Sequence, residues 1–296
     1  MKCSFTPSPA KTRAEVHLIK QAFKRMRVRT GCLRGLDMLW LEITGKCNLS
    51  CNHCYAGSSP QLPLTDGMKV ADWCRAIDEA RSLGCRQLQF TGGEPTIHPD
   101  LWTMIEHAKR ARFMSCEVYT NATALREDLL DRFKKHRIRV ALSFYCSRPD
   151  VHDQITGSKG SFERTVAGIQ QLLDRKIRLR TSVVLMRENA QYEKETVAFL
   201  EDLGVKNVRS YWVRGVGRGE TSVPDGSPMD QLCGQCWRGA LCIDPSGDAF
   251  PCVFSRFAPV GNFLTDGVKE IVKSHELRAF RREVYLNQQG GNGDNA

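Results

Sequence analysis

From residue 38 onward the chain alternates short runs of aliphatic, β-branched and aromatic residues with longer stretches that are apolar at every third or fourth position. The short runs predict six strands: MLWLEIT (38–44), RQLQFT (86–91), CEVYTN (116–121), RVALSFY (139–145), LRTSVVLM (179–186) and NVRSYWV (207–213). Between them the spacing is helical: Val70, Trp73, Ile77 and Ala80 share one face, as do Phe162, Val166, Ile169 and Leu173. Thr65 with Asp66 marks an expected helix start, and Gly84 an expected end. Strands alternating with helices give parallel βα units and an α/β fold. Six such units in roughly 175 residues predict a partial (β/α)6 barrel or strongly curved sheet rather than a closed eightfold barrel. Chemistry is then expected at the C-terminal ends of the strands.

After residue 213 the alternation stops. RGVGRGETSVPDGSP (214–228) reads as a Gly/Pro-rich connector, a cysteine-rich segment follows, and VKEIVKSHELRAFRREVYL (268–286) reads as a helix. NQQGGNGDNA (287–296) has the polar composition of a disordered end. The expected organisation is a basic arm over 1–36, a barrel over 37–213, a small auxiliary domain over 214–286 and a tail over 287–296. Charge changes the picture at one place. Of the formal net charge of +10, most resides in the arm, where nine Lys or Arg face a single acid, Glu15. Such an arm is either a solvated tail or a grip for nucleic acid or an acidic peptide. No run approaches the roughly 18 to 20 apolar residues of a membrane span, and MKCSFTPSPAKTRAEVHLIK lacks a secretory apolar core. The expected location is cytoplasmic, away from the membrane.

The 13 cysteines are too many for a disulfide framework in a reducing compartment. Cys3, Cys32, Cys74, Cys85, Cys116 and Cys146 are scattered and read as small buried hydrophobes, although Cys116 or Cys146 could donate a hydrogen atom if it faced the barrel interior. The others are clustered. Cys47, Cys51 and Cys54 stand at C-x3-C-x2-C just after the first strand. Structural zinc takes four ligands, so three thiolates fit it only if His53 or a distant group completes the set. A [4Fe–4S] cluster held by three thiolates keeps one iron open, and that iron can chelate an amine and a carboxylate.

These residues resemble the C-x3-C-x-aromatic-C loop of the radical S-adenosylmethionine (radical SAM) superfamily, with His53 as the aromatic, and Gly92, Gly93, Glu94 and Pro95 resemble its GGEP motif after strand two. The resemblance implies that the open iron binds the methionine moiety of SAM, and that one electron then cleaves the S–C5′ bond to a 5′-deoxyadenosyl radical. It also implies that Gly92 and Gly93 let backbone approach SAM, that Glu94 and backbone carbonyls hold its ammonium, that His53 packs near the adenine, and that Asn121 and Ser143 lie near SAM. A passive zinc or iron–sulfur binding module is the non-catalytic alternative.

Cys233, Cys236, Cys242 and Cys252 form the second set. Ten residues separate Cys236 from Gly247, four more precede Cys252, and Pro251, Gly261 and Asn262 follow the pattern that opens a SPASM extension. No cysteine follows residue 252, so the resemblance implies the shorter twitch architecture with one auxiliary [4Fe–4S] cluster. A four-cysteine zinc knuckle would fold the segment equally well.

The stretches over 143–165 and 251–262 resemble peptide-maturing radical SAM/SPASM proteins. That implies oxidation or cross-linking of a ribosomally made peptide, with an external electron donor. The residues before strand one are too few for a winged-helix leader-binding domain, so either a separate protein binds the leader or the arm grips an acidic leader through Lys24, Arg25, Arg27 and Arg29. The alternative is a small-molecule dehydrogenase or decarboxylase; a tRNA-modifying role ranks third, lacking an RNA-binding pattern.

Overall fold

The computed structural model describes residues 35–222 and 227–290. The basic arm, Cys3, Cys32 and residues 291–296 lie outside the described residues.

All six predicted strands form: β1 Met38–Glu42, β2 Gln87–Thr91, β3 Ser115–Thr120, β4 Arg139–Phe144, β5 Leu179–Leu185 and β6 Val208–Trp212. The helices between them are α1 Val70–Ser82, α2 Leu101–Arg110, α3 Glu127–Lys135, α4 Pro149–Thr156, α5 Ser161–Asp174 and α6 Glu193–Asp202. Helix α1 starts later than Thr65 and Asp66 suggest, at an N-cap Lys69 whose N–H donates to the Asp72 carboxylate at 3.0 Å. Gly84 follows its C-cap with φ +86°, as expected of a helix stop.

Each strand divides its residues between two faces. Leu39 and Leu41 of β1, Leu88 and Phe90 of β2, and Val140, Leu142 and Phe144 of β4 belong to the main apolar core with Trp73 and Ile77 of α1. The opposite face is polar, and the pairing register aligns it in rows. Glu42 lies beside Thr91, and Arg180 beside Ala141, which in turn neighbours Tyr119. Cys116 is in the main core, and Cys146 accepts from the Arg148 N–H at 3.4 Å with Thr196 of α6 bonded to its thiol. Neither thiol shares the polar face.

The segment after 228 contributes three strands that its cysteine pattern conceals: β7 Ala240–Ile243, β8 Asp248–Phe250 and β9 Gly261–Asn262. β7 pairs parallel with β1, Met38 opposite Ala240 and Leu41 opposite Ile243, giving one sheet of order β6-β5-β4-β3-β2-β1-β7-β8-β9. The predicted 268–286 helix is two helices, α7 Phe263–Lys273 and α8 His275–Gly290, with Ser274 between them; α8 runs past residue 287. Phe263, Val268 and Ile271 join the main core, and the Val268 N–H donates to Glu79 of α1 at 2.7 Å. Arg281 of α8, fully buried, donates to the carbonyls of Gly35 and Ala240 at 2.9 and 3.0 Å. The cysteine segment therefore extends the barrel's own sheet and core. Among the described residues no helix is long and apolar enough to cross a membrane.

Candidate iron–sulfur and SAM site

The loop after β1 carries Cys47, Cys51 and Cys54 and is tied down along its length. The Cys47 N–H donates to the Ser59 carbonyl at 3.1 Å, and the N–H groups of Ser50 and Asn52 donate to the carbonyls of Thr156 and Ile155 at the end of α4, each at 3.0 Å. Arg218 closes the loop from the far side: its Nε donates to the Cys51 carbonyl and its Nη2 to that of Ser58, both at 2.8 Å. Arg218, within the connector predicted over 214–228, thus clamps the three-cysteine loop.

The GGEP loop packs against this one backbone to backbone. The Gly93 N–H donates to the Thr44 carbonyl at 2.7 Å and the Glu94 N–H to that of Lys46 at 2.9 Å. A Cβ at Gly92 would lie 2.4 Å from the Thr44 oxygen, and one at Gly93 would lie 2.1 Å from the Lys46 oxygen. Both glycines are required by the approach of the cysteine loop, whatever they do toward SAM. Glu94 is fully buried and turned into the protein: the N–H and Oγ1 of Thr96 and the Thr120 Oγ1 donate to its Oε1 at 2.9, 2.6 and 2.6 Å, and the Asn121 N–H donates to Oε2 at 2.7 Å. Its carboxylate staples the β2 loop to the end of β3, rather than standing open to a ligand ammonium.

Donors converge on the sulfurs. The Leu49 N–H points at Cys47 Sγ at 3.4 Å, Asn121 Nδ2 lies 3.7 Å from the same sulfur, and the Tyr145 hydroxyl lies 3.9 Å from Cys51 Sγ. Asn121 Nδ2 also donates to Asn48 Oδ1 at 2.8 Å, while the Asn48 amide donates to Thr123 Oγ1 at 2.8 Å. The half-buried His53 ring rests edge-on against Tyr145 with centroids 4.9 Å apart; burial and then the Arg218 charge lower its pKa to about 4, so it stays neutral. Ser143 lies further along the polar face, its Oγ 3.0 Å from the Tyr119 hydroxyl. The structure thus brings His53, Asn121 and the three cysteines together, with Ser143 on the adjoining face.

Burial pushes Cys47 up to about 12, helped by Glu94 and the neighbouring thiols, and pushes Cys51 up to about 11, helped by Cys54. Without iron these are thiols; binding iron expels their protons. The donor set fits a cluster. Three sulfurs come from one clamped loop, hydrogen-bond donors face two of them, and no fourth cysteine is near in sequence.

In the second set, Cys236 and Cys252 are buried with their sulfurs 3.3 Å apart, packed with Trp40 of β1, Phe280 and Val284. Hydrogen bonds from Cys236, Ser255 and the Phe254 backbone hold the Cys252 thiol below its ordinary range. Cys233 is exposed near this pair, and Cys242, fully buried on β7, has its thiol pushed up by burial and by the charge of Glu42. Among the described residues no three His, Cys, Asp or Glu side chains converge as ligands of a single ion would. A cubane takes one thiolate per iron and does not require that convergence.

Glu42 and Arg256 connect the two sets. They form a buried ion pair on the polar face; Arg256 also reaches Asp244 at 3.5 Å, and its guanidinium lies 5.7 Å from the ring of Tyr55, the residue after Cys54.

An open, mostly parallel α/β sheet with a clamped three-thiol loop at the C-terminal edge of β1 is the frame of an iron–sulfur protein. The chain belongs to the radical SAM superfamily, whose sequence model matches residues 41–200, more than half its length, and an iron–sulfur cluster-binding domain (SPASM) matches residues 233–291. It is 27% identical over 266 residues to the antilisterial bacteriocin subtilosin biosynthesis protein AlbA of Bacillus subtilis, covering 79% of this chain and 58% of that protein. It is 27% identical over 190 residues to the AdoMet-dependent heme synthase of Methanosarcina barkeri, covering 64% of this chain and 54% of that protein. The chain thus spans under three-fifths of the length of these relatives. In fold it matches the crystal structure of Streptococcus suis SuiB bound to precursor peptide SuiA, with a TM-score of 0.64 at 14% identity, over 99% of this chain and 76% of that one.

Proposed function

We propose that this protein is a radical SAM enzyme that oxidises or cross-links a ribosomally made peptide. Cys47, Cys51 and Cys54 would hold a first cluster that, with SAM, would supply radical hydrogen-atom abstraction, and Cys233, Cys236, Cys242 and Cys252 would hold an auxiliary cluster that would supply a one-electron acceptor. The chain's own part is to hold and to exclude. Arg218 and the end of α4 fix the three-cysteine loop, Glu94 fixes the GGEP loop beside it, and Asn121 and Tyr145 face the sulfurs. Trp40 lines the polar face on one side of β1 and packs against Cys236 and Cys252, which supports a substrate site on that face between the two sets. Reducing electrons come from an external donor, a separate protein or the basic arm holds the peptide leader, and the setting is cytoplasmic.

The observation that carries the reading is the clamped three-thiol loop seated against the GGEP backbone. The peptide substrate draws support from AlbA, named for bacteriocin biosynthesis, and from SuiB, solved with its precursor peptide. The likeness to a heme synthase supports a second reading, a small-molecule substrate on the same polar face. The test is anaerobic reconstitution with iron and sulfide, then SAM and a strong reductant. 5′-Deoxyadenosine formed by wild type and abolished in Cys54→Ala supports the radical reaction; cleavage that survives Cys54→Ala refutes the assignment of the loop.

A further inference from the structure

The polar face of the sheet is electrically lopsided. On the β1 and β7 side the charges are Glu42 and Asp244 against Arg256, all mutually paired. On the β3 to β6 side one carboxylate, Glu117, pairs with two guanidiniums, Arg180 and Arg139, and a third arginine lies on the same face. Arg180 donates to Glu117 Oε1 and Oε2 at 2.7 and 3.1 Å, and Gln89 Nε2 donates to Oε1 at 2.5 Å, so that carboxylate is fully engaged. Arg139 stands further off, its Nε 3.9 Å from Glu117 and buried without a hydrogen-bond partner, while its Nη2 is spent on Ser115.

The third guanidinium is Arg209. It is exposed, and the parallel register sets it beside Ser182, which is itself beside Ser143, so all three point to the same face as Arg180 two residues earlier on β5. No ion pair engages it among the described residues. Arg180 and Arg209 sit diagonally on adjacent strands, a spacing of roughly 7–8 Å between such positions that long side chains span. Tyr119, whose ring lies 5.6 Å below the Arg180 guanidinium, and Ser143 complete a polar floor.

Three guanidiniums against the single carboxylate of Glu117 leave two positive charges on this side without an ion-pair partner among the described residues, an excess that calls for an anion, and the planar fork of arginine matches a carboxylate. We infer that Arg180 and Arg209, backed by Arg139, form a subsite that reads a carboxylate on the substrate, so that the bound peptide segment carries either an acidic side chain or its own C-terminus there. The inference rests on the peptide reading given above. It adds which chemical group the β5 and β6 wall selects.

Binding tests it without turnover, so failure of radical cleavage and failure of the subsite give different results. The reconstituted protein with SAM is titrated at low salt against dye-labelled heptapeptides of sequence Gly-Ser-Gly-X-Gly-Ser-Gly, read by fluorescence anisotropy. X is Glu or Gln with an amidated C-terminus in one arm, and X is Gln with a free C-terminus in the other. The expected result is tighter binding of one carboxylate peptide than of the amidated Gln peptide, with a loss of about tenfold to a hundredfold in Arg209→Gln. The arm that shows the preference identifies the source of the carboxylate. Arg180→Gln alone would leave Glu117 with only Gln89 and the more distant Arg139, so the double variant Glu117→Gln/Arg180→Gln is used and should lose the same preference. Equal affinity for all three peptides overturns the subsite, as does undetectable binding. A carboxylate preference that survives both variants also overturns it, because the anion is then held elsewhere, for example on the basic arm.

Discussion

The Tyr145 hydroxyl lies 3.9 Å from Cys51 Sγ, and the Tyr145 ring packs against the rings of His53 and His152. A buried hydroxyl beside a thiolate withdraws charge from the sulfur and favours the reduced cluster. Tyr145→Phe should therefore lower the reduction potential of the first cluster by about 40 mV, the equivalent of a hydrogen bond of about 1 kcal/mol for one electron. A redox titration followed by electron paramagnetic resonance measures it; an unchanged potential removes Tyr145 from the tuning of the cluster.

Cys236 and Cys252 share one buried site, apart from the first loop. Either one changed to Ser should reduce the iron content of reconstituted protein from about eight to about four atoms per chain, since each [4Fe–4S] cluster carries four. The signal of the first cluster should remain. Full iron retention in both variants would exclude them as ligands.

Gly93 and Gly57 make opposite predictions. An added Cβ at Gly93 meets the Lys46 oxygen at 2.1 Å, whereas at Gly57 nothing lies within 4 Å and only its φ of +64° resists a side chain. Gly57→Ala should cost about 1–2 kcal/mol and still take up both clusters. Gly93→Ala should separate the two loops and fail to assemble the first cluster, visible as lost absorbance and iron.

Glu42 is nearly solvent-free and Arg256 mostly so; Arg256 engages Glu42 Oε2, and the Tyr55 hydroxyl is the carboxylate's further hydrogen-bond partner. Removing the cation leaves a buried carboxylate with Tyr55 as its remaining partner and the like charge of Asp244 nearby. Arg256→Ala should destabilise the protein by about 3–5 kcal/mol, read by urea unfolding. Replacing both partners, Glu42→Gln with Arg256→Met, should recover much of that loss.

Burial lowers His152 to about 4, so it remains neutral in the folded chain, while the unfolded chain takes up a proton near pH 6.5. Its contribution is therefore complete above about pH 6.5 and falls as pH drops toward about 4, by about 3 kcal/mol in all. Below about 4 it changes no further. His152→Gln should flatten the stability profile between those limits; an identical slope would mean that carboxylates elsewhere set the acid sensitivity.

Much of this architecture could be read from the chain because it rests on local periodicity. All six strands of the barrel emerge within one or two residues of the predicted ends, and the three cysteines fall after β1 as their place in the sequence requires. Helix ends were less legible. α2, α3 and α5 are followed by Arg112, Arg137 and Lys176 at positive φ, where a glycine would have announced the stop. Long-range relations left no local mark at all. Nothing near Cys242 says that it stands on a strand paired with β1, nothing near Glu94 says that its carboxylate turns inward, and Arg218 is one basic residue in a glycine-rich stretch until the fold sets it over Cys51.

The pairing of β1 with β7 also sets a timetable. Met38 meets Ala240 across roughly 200 residues, which a ribosome working at about 5–20 residues per second needs about 10–40 s to make. Throughout that interval one side of β1 offers open backbone donors and acceptors to any other extended chain. The nascent protein is thus most vulnerable to aggregation before its second group of cysteines has been synthesised, and holding that edge covered during synthesis should raise the yield of folded protein more than added iron would.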